Sequence, residues 1–236
     1  DPNSKPYLDL NDNMTGTNTE LDDLSKVKFE TLGNNSTLLE IGITIDGRYN
    51  YFELMGKDTN RAASYIAAIM SHVSFLYQEY VNVRLYLPYV LIRTTLEDDP
   101  YSMKDLKSFE DVLHYMPTVW RTASNRPDNT ALVCMFASLS AQQASGGGYT
   151  AGISYTGGYA IGTLCNPNLG YSVFGINGDE EYPNYNYTWD VSVVAHEMGH
   201  NFGLPHTHNC EYYIPAIDTC VTKRTLNGAI GDACYE

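Results

Sequence analysis

Residues 190–206 read Asp190-Val191-Ser192-Val193-Val194-Ala195-His196-Glu197-Met198-Gly199-His200-Asn201-Phe202-Gly203-Leu204-Pro205-His206. On a helix, His196 and His200 share one face with their β-carbons about 6 Å apart, which lets two imidazoles converge on a single zinc ion. Glu197, next to the first of them, points beside such an ion rather than at it. A third ligand cannot come from the same helix if the helix simply continues, and three ligands are what leave a fourth position open to water. Gly203 answers this: glycine enters a left-handed conformation without steric cost, so it can end the helix and let His206 swing back toward the pair. Pro205 reinforces the stop, because it cannot continue a helix and biases Leu204 toward extended geometry.

The chemistry expected of this set is hydrolysis of a peptide bond by a metal-activated water, with Glu197 as general base and no covalent intermediate. The competing reading is three buried, hydrogen-bonded core histidines. Frequency separates the two: His, Glu, His, Gly and His at these spacings arise in a random chain of this length on the order of once in 100,000. His208 is a rival for the third ligand, but the spacing from Gly203 favours His206. His72 and His114 have no histidine at helical spacing and read as structural.

Outward from the motif, residues 1–36 are polar and lack a sustained apolar period, which predicts an irregular leader or the remnant of a removed segment. From Leu38 the run Leu38, Leu39, Ile41, Ile43, Ile45 predicts a strand, Asp46-Gly47 a turn, and Tyr49 to Leu54 a returning second strand. Asp58 or Thr59 can cap a helix of about five turns with apolar positions at Ala62, Ile66, Ile69, Met70, Val73 and Leu76. Val83 to Ile92 predicts a strand, and Leu106, Phe109, Val112, Leu113 and Met116 a second amphipathic helix. Ala131 to Ala137 predicts a short buried strand, and Ile153 to Tyr155 with Tyr159 to Leu164 a hairpin turned at Gly157-Gly158. This order predicts an α/β fold with a mixed sheet and packed helices. The Gly146 to Gly148 run reads as a loop, since no Lys and Ser or Thr follow it as a phosphate cradle requires.

The spacing HExxHxxGxxH is the metzincin zinc signature, and DVSVVAHEMGHNFGLPH resembles the reprolysin-like (adamalysin, ADAM-type) metallopeptidases. The resemblance implies a zincin fold with a roughly five-stranded mixed sheet, a zinc helix beneath it and a small C-terminal subdomain. It implies His196, His200 and His206 as ligands of one catalytic Zn2+ and Glu197 as the catalytic residue. It also makes the Ala151 to Cys165 segment, ending in GYAIGTLC, similar to the edge strand that pairs with extended substrate in that family. The organisation expected is a leader at 1–36, an N-terminal catalytic subdomain at 37–206, and the start of a C-terminal subdomain at 207–236. Two departures stand out: Thr207 replaces the usual Asp after the third His, and no methionine follows Met198 to make the family's methionine turn. Cys234 lies about where a family cysteine precedes that turn, so the lower subdomain looks incomplete, and a missing piece would hold the partner of the fifth cysteine.

Composition bounds the partners. The chain has 236 residues, 28 acidic and 14 basic, and a net charge of −14, which argues against nucleic acid and anionic membrane surfaces. No apolar stretch approaches the roughly 20 residues needed to cross a bilayer. Cys134, Cys165, Cys210, Cys220 and Cys234 form no close CxxC pair, and three of them crowd the last stretch, which suggests disulfides and a secreted setting. The start at Asp1, without a basic-then-apolar leader, reads as processed. Protein or peptide substrates are the partners implied; the resemblance also allows a structural Ca2+, although no acidic cluster in the sequence demands one. Two rivals to a zinc endopeptidase are a catalytically inactive binding or adhesion module and a zinc hydrolase of some other amide.

Overall fold

The apolar run after Leu38 becomes an interior strand of a mixed sheet. The computed structural model describes residues 38–104, 106, 108–121, 126–141, 150–157, 161–178 and 185–207. Strand β1 (Leu39–Gly47) pairs in parallel with β2 (Val83–Ile92) on one side and β3 (Leu132–Ser138) on the other. Strand β5 (Tyr171–Ile176) continues the parallel set beside β3, and the short β4 (Gly152–Ser154) closes the edge antiparallel to β5, giving the order β2-β1-β3-β5-β4. The α/β class and the five-stranded mixed sheet are thus as expected.

Helices cover both faces. Helix α2 (Thr59–Val81) and the motif helix α5 (Tyr185–Asn201) pack on one side, where Ile43, Ile45, Phe136 and Phe174 meet Ile66, Ile69, Val194 and Met198. Helices α3 (Pro100–Met103) and α4 (Phe109–Trp120) pack on the other, against Val133, Met135, Tyr171 and Val173. Successive residues of β3 therefore enter opposite cores, so every one of them is buried and the strand reads as an unbroken apolar run. Asp58 caps α2 as expected, accepting from the backbone N–H of Asn60 and Arg61.

Three local expectations are corrected. Tyr49–Leu54 is not a returning strand but a short helix, α1. Both edges of β1 are already taken by parallel neighbours, so no edge remains for an antiparallel return, and the helical turn instead buries Tyr51 and Phe52. Leu106 lies before α4, whose start is set at Phe109 by the Ser108 hydroxyl accepting from Asp111 N–H. The hairpin partner of β4 is β5 rather than Tyr159 to Leu164. Of that segment, 161–164 is not strand, Thr163 N–H being spent on the carbonyl of Asn201, while 158–160 lie outside the described residues. The leader at 1–36, Gly146 to Gly148, His208 and the last three cysteines also lie outside them. Cys134 and Cys165 are free thiols. Among the described residues, no helix is long and apolar enough to cross a membrane.

Candidate metal centre

Helix α5 is pinned to the sheet before it reaches the motif. The buried Asp190 carboxylate accepts from Tyr65 Oη at 2.6 Å and from the backbone N–H of Asn177 and Gly178, tying α5 to α2 and to the end of β5. Burial raises the Asp190 carboxyl above its ordinary range, and these donors pull it back down. Further along, Tyr77 Oη donates to Ala195 O at 2.9 Å, fixing the helix one residue before His196.

The helix ends as its glycine predicted. Gly203 has φ of +90°, Gly203 N–H bonds His200 O at 2.9 Å, and Leu204 N–H bonds Gly199 O at 3.0 Å, a Schellman turn. The reversed chain then returns two groups to the motif. Leu204 O lies 2.7 Å from His200 Nδ1, and because a carbonyl can only accept, His200 carries its proton on Nδ1 and leaves the Nε2 lone pair available. His206 arrives with its Nε2 at 3.1 Å from that of His196 and 3.2 Å from that of His200, while the His196 and His200 Nε2 atoms are 3.1 Å apart.

Three imidazole nitrogens in a near-equilateral triangle cannot all hydrogen-bond one another, since each ring nitrogen has one in-plane direction. They share a focus instead. Tetrahedral nitrogens at zinc–imidazole bond lengths stand about 3.3 Å apart, close to the separation here, so the residues fit a single zinc ion. Among the described residues this is the one cluster of three or more His, Cys, Asp or Glu that could hold a metal ion. His196 and His206 are exposed and His200 half-buried, so the focus opens to solvent. His72 and His114 lie elsewhere: His72 Nδ1 bonds Ala68 O at 2.8 Å, and His114 stands against the Tyr155 ring.

The Glu197 side chain reaches Gly152 on the edge strand β4. Its carboxyl is buried, which pushes its pKa up from 4.5 to about 7, with a hydrogen bond from Ser154 working in the opposite direction. Its side chain runs over the α-carbon of Gly152, where an added β-carbon would stand 2.6 Å from Glu197 Cγ. On the other side of α5, an open apolar cleft of about 330 Å³ adjoins His196 and His200, walled by Tyr77, Tyr80, Leu204 and Pro205.

Sequence reasoning missed the polar groups behind Glu197, namely Ser154, Ser172 and Asn201. Asn201 was visible as the residue one helical turn beyond Glu197, but the two serines meet only because β4 and β5 place Ser154 opposite Ser172.

A mixed α/β sheet with a histidine triangle at the end of helix α5 defines a zincin-like metallopeptidase. Residues 39–233 match the family described as Metallo-peptidase family M12, of reprolysin type. The chain therefore belongs to that family, the reprolysin-like metzincins, whose members are zinc metallopeptidases acting on proteins or peptides. No curated protein matches it.

Proposed function

We propose that this chain is a secreted, zinc-dependent endopeptidase in which His196, His200 and His206 hold one ion and Glu197 is the general base. The observation that carries the reading is the convergence of three Nε2 atoms at 3.1–3.2 Å beside a buried carboxyl. Bound zinc supplies Lewis acidity, which lowers the pKa of a water and polarises a carbonyl. The rest is the work of this chain. Leu204 O keeps His200 in the tautomer that presents Nε2. Glu197, buried beside the first histidine, takes a proton from the attacking water and returns it to the departing amine. Strand β4, at the open edge of the sheet, offers backbone groups to an extended peptide. Residues 37–206 are the catalytic subdomain in this reading, and the cysteine-rich stretch after it favours an oxidising, extracellular setting.

The test is hydrolysis of a denatured protein by wild type and Glu197→Ala, with zinc counted in each. About one zinc per chain in both, and cleavage into internal fragments by wild type alone, is the expected result. A zinc-loaded wild type that cleaves nothing would instead indicate the binding module, and products lacking internal peptide cleavage would indicate another amide substrate.

A further inference from the structure

Asn201, the last residue of α5, is wholly buried and spends its side chain and its carbonyl on segments distant in sequence. Its Nδ2 faces the carbonyls of Tyr155 at 3.0 Å and Tyr171 at 3.2 Å, which can only accept, so the amide orientation is fixed. Nδ2 also lies 2.8 Å from Thr163 Oγ1, so two protons serve three acceptors and the longest contact, to Tyr171 O, is a shared one. Oδ1 accepts from the buried hydroxyl of Ser172, which itself accepts from Ser154 Oγ at 2.9 Å. The backbone carbonyl of Asn201 accepts from Thr163 N–H at 2.7 Å. One residue therefore holds the edge strand β4, its neighbour β5 and the 161–164 segment. The β4–β5 ladder fades at this point: beyond the Ser154 and Ser172 pair, Tyr155 N–H meets Tyr171 O only at 3.5 Å. Two glycines let the same backbone lie directly on α5. A β-carbon on Gly152 would stand 2.6 Å from Glu197 Cγ, and one on Gly162 would stand 2.8 Å from Asn201 O. The edge thus rests on α5 from Glu197 to Asn201, the turn that carries His200.

We propose that Asn201 is a positioning residue for peptide binding: it clamps β4 and the 161–164 segment to the end of α5 and so sets the height of the peptide-pairing edge above the histidine triangle. This role rests on β4 being the strand that takes an extended peptide. A strand of three residues has few ladder bonds of its own, while a peptide added to it is aligned by main-chain bonds. The height and register of that backbone decide where a peptide carbonyl falls relative to the Nε2 focus, and a misplacement of about 1 Å costs a reacting geometry about 100-fold. The histidines themselves are set by other groups: Leu204 O orients His200, and the turn at Gly203 delivers His206. Asn201 therefore acts on the peptide rather than on the ion.

The full chain is loaded with zinc, and wild type, Asn201→Ala and Thr163→Val are titrated with two chelating probes: acetohydroxamate, which reaches only the ion, and a peptide hydroxamate long enough to lie along β4. Bound zinc and thermal midpoint are recorded, and cleavage of a peptide substrate is followed in parallel. Asn201→Ala is expected to keep about one zinc and wild-type affinity for acetohydroxamate. Its affinity for the peptide hydroxamate should fall about 10- to 100-fold, the scale of two lost backbone hydrogen bonds. Thr163→Val removes one acceptor from the clamp with a side chain of the same shape, and should lose affinity for the peptide probe alone, by about 3- to 10-fold. Equal losses for both probes, or unchanged peptide affinity, overturn the clamp; where Asn201→Ala does not fold, Thr163→Val decides by the same two criteria. A wild type that binds the peptide hydroxamate no better than acetohydroxamate removes the edge-strand reading and the clamp with it. Selective loss in a chain that cleaves nothing supports the clamp and removes only the peptidase reading.

Discussion

Glu197 is a carboxyl placed where water solvates it poorly, and that has a consequence independent of catalysis. In the metal-free protein its folded-state pKa is about 7, against an ordinary value of 4.5. Because burial favours the protonated form, the folded state binds the proton more tightly than the unfolded chain does. Stability is then highest below about pH 4.5 as far as this group is concerned, and falls as pH rises toward 7. Above pH 7, chelator-treated Glu197→Gln should be more stable than chelator-treated wild type by roughly 2–3 kcal/mol, with the gap closing at low pH. Urea unfolding at pH 4.5 and pH 8 measures it, and a gap independent of pH would show that Glu197 is already well solvated. The histidines, the glutamate and the glycine could be read from spacing alone, because they lie within one short stretch, residues 196–206. The Ser154 to Asn201 relay could not, since each link joins residues distant in sequence.

At the scale of elements, the decisive feature is the end of α5. The Schellman turn at Gly203 positions both Leu204 O, which orients His200, and His206. A residue with a β-carbon at φ +90° is strained, so Gly203→Ala should cost about 1–2 kcal/mol of stability. It should also weaken zinc retention in competition with a chelator, because the turn carries His206 and orients His200. A destabilised variant with wild-type zinc affinity would mean that His206 finds its place without the turn. The turn was readable in sequence, since Gly203 and Pro205 act locally. The fate of Tyr49–Leu54 was not: its pattern suits a strand, and only the occupation of both β1 edges made it a helix. Strand β5 is not legible locally for a related reason, as its Ser172 and Gly175 interrupt an apolar run whose two faces are buried by helices distant in sequence, α5 on one and α4 on the other.

Across the whole molecule, the sheet is locked by a buried charge network remote from the histidines. Asp46, at the end of β1, is wholly buried and accepts from Arg93 through Nε at 2.7 Å and Nη2 at 2.9 Å, from Tyr101 Oη and from Trp120 Nε1. It thereby joins β1, the chain after β2, α3 and α4. Asp46→Ala strands the Arg93 guanidinium in the interior and should cost about 3–5 kcal/mol in urea unfolding; a loss below about 1 kcal/mol, the scale of an exposed pair, would show that water reaches the site. The sequence by itself determined the histidine motif, its helix and turn, and the alternation of strands and helices, because these depend on local periodicity and backbone sterics. Only the tertiary structure decided which strands are neighbours, which segment closes the edge, and which strands Asn201 holds to α5. Those outcomes depend on register and burial between distant segments, which no local pattern encodes.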